Sequence, residues 1–127
     1  MRKSFVQWWV LCVGLSFGAP ASAVTLSTGI SPEAFAGDVV DCFVSNVNTA
    51  PITASVQMFA LSGALLTPNY DGCSSGPIAP GVTCQVQVTP VSAGFMRCTV
   101  TASSSKVRAN LQVYTTGNFV GSVPATK

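Results

Sequence analysis

The chain of 127 residues contains no histidine, and only 8% of it is charged, with six Lys and Arg against four Asp and Glu. Without histidine, the usual general base for a serine or cysteine nucleophile is missing, as is the commonest nitrogen ligand for zinc or copper. Sparse Lys and Arg exclude a phosphate-tracking surface, so nucleic acid is not an expected partner. No Cys-x-x-Cys pair occurs, which removes the usual thiolate metal spacing. Beyond residue 23 there is no tryptophan, no stripe of helical period and no apolar run of membrane-spanning length.

The longest apolar run, Phe5 to Phe17, follows Arg2 and Lys3 and precedes Ala21-Ser22-Ala23. A positive start, a run shorter than the roughly 20 residues of a spanning helix and a small-x-small ending describe a cleavable secretory signal over residues 1–23. Bulky Val10 and Leu11 speak against a lipoprotein signal at Cys12. The mature protein is expected to begin at Val24 and to be secreted or periplasmic. It keeps Arg97, Lys106, Arg108 and Lys127 against Glu33, Asp38, Asp41 and Asp71, so its side-chain charge is near zero and implies no electrostatic partner.

What is present is a chain rich in Val, Ile, Leu and Thr, punctuated every ten residues or so by Gly, Pro, Ser and Asn. That composition suits one folded all-β domain rather than disorder. Val40, Cys42 and Val44 alternate against Asp41, Phe43 and Ser45, and Ile52 to Ala60 alternate against Thr53 to Phe59. Cys84, Val86 and Val88 form a third inward set, Met96 to Ala102 a fourth, and Val107 to Val113 a fifth. Val24 to Ile30 reads as an opening edge strand and Ala64 to Thr67 as a short strand. Prolines and glycines over 68–81 predict a loop, and Gly117 is expected to begin a flexible tail over 117–127. The expected fold is a β-sandwich of six or seven antiparallel strands over 24–116.

Removal of Cys12 with the signal leaves Cys42, Cys73, Cys84 and Cys98, an even set suited to an oxidising compartment. Cys42 and Cys98 both face inward from central strands, which favours their pairing and leaves Cys73 to join Cys84 across the Pro-Gly loop. Cys84 also opens an inward-facing strand, so it stands as the alternative partner of Cys42.

Two short signatures, Ser45-Asn46-Val47-Asn48-Thr49 and Ala79-Pro80-Gly81-Val82-Thr83, sit after an early strand and before a later one. Here the chain resembles immunoglobulin-like sandwiches, and among them small bacterial extracellular modules related to cell-adhesion domains, over roughly residues 38–114. It lacks the tryptophan that packs on the bridge of antibody domains, and Met96 stands where a tyrosine corner needs Tyr. The resemblance implies a fold and a habit of binding.

No catalytic residue, cofactor or metal ligand is expected. Asp38 and Asp41 are close in sequence yet on a strand point to opposite faces, which does not suit a paired acid and base. Asp71 in Asn69-Tyr70-Asp71-Gly72 has no second acidic neighbour for calcium and reads as a turn former. The expected site is the loop carrying Tyr70 and Asp71, since long ordered loops and exposed tyrosines carry binding. Phe43, Phe59 and Tyr114, all outward, would add a contact surface if they clustered. The expected function is an exported non-enzymatic module binding a protein or glycan. The alternative is a structural subunit of a surface fibre or envelope assembly, joined by strand addition through a sheet edge or the 115–127 tail.

Overall fold

The computed structural model describes residues 23–127, so the expected signal, apart from Ala23, lies outside the described residues. Nine strands form: β1 (Val24–Thr28), β2 (Val39–Asn46), β3 (Ala54–Ala60), β4 (Leu65–Leu66), β5 (Tyr70–Asp71), β6 (Thr83–Val88), β7 (Met96–Ala102), β8 (Val107–Thr115) and β9 (Asn118–Thr126). They make one antiparallel sheet in the order β4-β3-β7-β1-β9-β8-β2-β6-β5. The all-β, disulfide-stapled class is therefore as expected, but the strand count is nine and the layers are continuous.

The sheet curls into a half-barrel, and the bridge between Cys42 and Cys98 shows why it must. Cys42 on β2 and Cys98 on β7 lie four strands apart in the sheet order, which in a flat sheet is a separation of roughly 19 Å. Their Cα atoms are 6.4 Å apart. The two halves of the sheet therefore face each other, and the inward sets read from the alternation meet between them: Val40, Cys42 and Val44 with Val86, Val88, Met58, Cys98, Val100, Leu111 and Val113. Cys73 joins Cys84, so both bridges follow the expected pairing and the alternative of Cys42 with Cys84 is not used.

Several expectations are corrected. Residues 24–28 are not an edge strand, because β1 pairs with β7 on one side and β9 on the other. The flexible tail expected over 117–127 is instead β9. It turns back from β8 through Thr116 and Gly117, whose φ angles of 48° and 80° give the two-residue hairpin geometry that matches strand twist. Its far end reaches β1 through Ser27 opposite Thr126 and Thr28 opposite Ala125, and this is the seam that joins the two halves. The domain thus runs past residue 116. Within the expected loop of 68–81, Tyr70 and Asp71 pair with Gln87 and Val86 as a short outer strand. Ile52 precedes β3 and makes an isolated bridge with Ile78.

The two signatures meet in space. Asn46, 1% exposed, donates from Nδ2 to the Ala50 and Ile78 carbonyls at 2.9 and 2.8 Å, and its Oδ1 accepts from Asn48 N at 2.8 Å. Gly81 N donates to the Asn46 carbonyl, and Val82 N donates to that of Ala79. Pro80 followed by Gly81 at φ 76° makes this a type II turn, in which only glycine fits without strain. Asn46 thus ties the end of β2 to two neighbouring loops. Asn46→Ala removes three hydrogen bonds made by a fully buried side chain and is expected to lower stability by about 2–3 kcal/mol, read from urea unfolding.

Candidate functional site

On the convex face of the half formed by β5, β6, β2, β8 and β9, strand register sets side chains in rows. Tyr70 lies opposite Gln87, Gln87 opposite Asp41, Asp41 opposite Gln112, and Gln112 opposite Ser122. In the next row Gln85 lies opposite Phe43, and Phe43 opposite Asn110. Directly opposite side chains on one face are close enough to touch.

Asp41 is the centre of this arrangement. It points to the outer face as expected, yet it is only 5% exposed. Gln85 Nε2 and Gln87 Nε2 both donate to its Oδ1, at 2.8 and 3.1 Å. A buried carboxylate needs such donors to offset its desolvation. The cost of burial in turn holds both amides in fixed orientations. On the β8 side the Tyr114 hydroxyl donates to Gln112 Oε1, and the Tyr114 ring meets that of Phe119 edge-on with centroids 5.8 Å apart.

Tyr70 is 55% exposed at the outer end of the row. Its ring folds over Gly72, where a built Cβ would lie 2.7 Å from the Tyr70 hydroxyl oxygen. With Gly72, Ser75, Pro77, Thr83 and Gln85 it lines a pocket of about 360 Å³, within the size range of small-molecule sites. Gln85 belongs to both features, so pocket and carboxylate form one continuous surface. The bridge from Cys73 to Cys84 holds the loop that makes the pocket wall. Gly72→Ala pushes only the end of a flexible side chain. It is expected to change stability by less than about 1 kcal/mol while displacing the Tyr70 ring, visible as shifted Tyr70 resonances by NMR.

The other expected site residue, Asp71, is engaged locally. Its Oδ1 accepts from Cys73 N and Ser74 N, both at 3.0 Å, closing the turn into the loop. Asp38 likewise serves a turn, its Oδ2 accepting from Phe35 N at 2.7 Å. Among the described residues no three or more His, Cys, Asp or Glu side chains gather as a metal-ligating group. The expected trio of aromatics does not form one patch. Phe43 and Tyr114 share the face with Asp41, whereas Phe59 lies on the other half under the Arg97 guanidinium, 4.9 Å from its ring centroid.

Two further surfaces stand apart. A hollow of about 700 Å³ is lined by Ala23, Val24, Asn48, Ile52 and Ser103 to Ser105, and among the described residues none of its lining side chains is titratable or aromatic. At the end where β2 begins, Phe35, Leu61, Val91 and Phe95 are exposed on loops knitted by backbone bonds, including Leu61 N to the Phe95 carbonyl. The Asp41 grouping escaped sequence reasoning because its members come from two strands separated by more than 40 residues of chain. The available signal was the outward Gln85 and Gln87 on one strand and the outward Asp41 on another. No protein-family model, curated protein or solved structure matches this chain.

Proposed function

We propose that this protein is an exported, non-enzymatic binding module that engages a protein or glycan at the cell envelope or outside the cell. Its site is the surface running from Tyr70 through Gln85 and Gln87 to Asp41. The observation that carries this reading is the fixed Asp41 carboxylate, whose Oδ1 accepts from two glutamine amides beside an exposed tyrosine and an open pocket. Polar groups held in place before a ligand arrives lose little entropy on binding. Two disulfides are compatible with an extracellular or periplasmic location and accord with the leader pattern of residues 1–23.

The fold supports an immunoglobulin-like reading with altered wiring. In such domains a bridge joins strands B and F, B continues through E to D, and F pairs with C. Here the bridge joins β2 and β7, β2 continues through β6 to β5, and β7 pairs with β3. The outer strands are exchanged: β1 flanks β7 and β8 flanks β2, the reverse of the immunoglobulin order. The fibre alternative has less support, because both free edges, β4 and β5, are two residues long and β9 is already paired on both sides.

The test is affinity capture with the immobilised, oxidised protein from an envelope fraction. Retention of a specific component is expected, lost with Tyr70→Ala and with Asp41→Asn but kept with Phe59→Ala on the far half. Equal retention by all three variants would refute this site.

A further inference from the structure

We infer that the ligand of this surface is a neutral saccharide, a reading that rests on the binding role proposed above and narrows it. The chemistry of the face selects against the other small ligand classes. An anion would meet the Asp41 carboxylate, while Arg108 stands at the far end of the face opposite Ser45. A metal ion would find a single carboxylate where hard cations take six or more oxygens. A wholly apolar ligand would have to strip water from Gln85, Gln87, Gln112 and Asp41 without replacing their hydrogen bonds.

A sugar ring answers each of these groups. Its hydroxyls both donate and accept, as do glutamine amides, whereas a carboxylate only accepts. Because both glutamine donors go to Oδ1, Asp41 Oδ2 is the acceptor suited to a sugar hydroxyl, and the amide oxygens of Gln85 and Gln87 supply neighbouring acceptors. Paired oxygens at fixed separation suit the vicinal hydroxyls of a pyranose. The apolar C–H face of the ring needs an aromatic platform, and Tyr70 offers one: it rests on Gly72, remains 55% exposed and borders the pocket of about 360 Å³. The row continues across β2 to Gln112 and Ser122, so further sugar units can extend along it.

Both tyrosines outside the leader, Tyr70 and Tyr114, lie on this face, and both tryptophans lie within the leader. Tyrosine fluorescence of the processed protein therefore reports the site directly. The experiment is calorimetric and fluorescence titration of the oxidised protein, as recovered from the envelope, with neutral di- to hexasaccharides of glucose, mannose, galactose and N-acetylglucosamine. At least one series is expected to bind with a Kd between micromolar and millimolar. Tyr70→Ala and Asp41→Asn are each expected to weaken it about tenfold or more, while Tyr70→Phe and Phe59→Ala leave it within about twofold. Gly72→Ala, which moves Tyr70 without touching Asp41, is expected to weaken binding as well and guards against misfolding of the Asp41 variant. No heat or fluorescence change at millimolar saccharide, or affinity unaffected by both Tyr70→Ala and Asp41→Asn, would overturn the inference. If an envelope component is captured through Tyr70 and Asp41 but no saccharide competes for it, the binding role stands and the sugar does not. If neither occurs, both fall.

Discussion

Replacing Cys42 and Cys98 together by alanine is expected to lower stability by about 4 kcal/mol, the larger of the two disulfide effects. The bridge closes a sequence separation of 56 residues, and in the chain-entropy account a longer loop restricts the unfolded chain more. It also sits in the core between two strands that the sheet order places far apart, so it holds the curled sheet closed. Urea unfolding of the oxidised wild type and the double variant measures this. A loss of 4 kcal/mol moves the midpoint by about 2 M or more, and a shift worth less than about 1 kcal/mol would show that core packing alone closes the sheet. The bridge from Cys73 to Cys84 spans 11 residues and is worth about 3 kcal/mol in the same account. Its removal is expected to act on the Tyr70 pocket as well, since that loop is its wall.

Ending the chain at Thr116 is the second large perturbation. Although β9 buries no side chain fully, it pairs with β8 from Asn118 to Pro124 and with β1 through Ala125 and Thr126. Gly121 also lets Pro32 lie against the strand, since a Cβ there would be 2.9 Å from the proline Cγ. Deleting residues 117–127 removes the strand that carries the sheet from β8 to β1 and leaves β8, nine residues long, with a bare edge. A loss of about 3 kcal/mol, or roughly 15 °C in Tm, is expected. Concentration-dependent association through the β8 edge is expected with it. Thermal melting and light scattering read both effects. A monomer with an unchanged Tm would mean that β9 is dispensable.

The contrast between these strands explains what could be read in advance. β2, β3, β6, β7 and β8 each turn one face to the core, so apolar and polar residues alternate and the period is plain. β9 buries its inward face only partly: Gly121, Val123 and Ala125 are half-buried, and Ala125 packs against the core. With small Gly121 and Ala125 at two inward positions and Phe119, Val120 and Pro124 exposed, its polarity does not alternate clearly, and backbone pairing with β8 and β1 does more than burial to fix it. β4 and β5 are too short for any period to show. The bridges were legible because Cys42 and Cys98 already faced inward on patterned strands.

The site was half legible for a related reason. Tyr70 stood out as an aromatic among turn residues, and Asp71 with it, but the role of Asp71 depends on where its turn points its carboxylate, and it caps Cys73 and Ser74. Asp41, Gln85 and Gln87 were each assigned to outer faces. Their meeting depends on the register that sets Asp41 opposite Gln87, across 46 positions of chain, and no local pattern encodes that.

The most direct test of the account is the behaviour of the Gln85 and Gln87 side-chain amides in solution, because the fixed Asp41 carboxylate depends on them. In ¹⁵N-resolved NMR both NH₂ groups are expected to show slowed exchange and contacts to Asp41 protons, with both signatures lost in Asp41→Ala while the backbone pairing of β2 with β6 persists. Amides that exchange like free glutamine and do not respond to Asp41→Ala would contradict it.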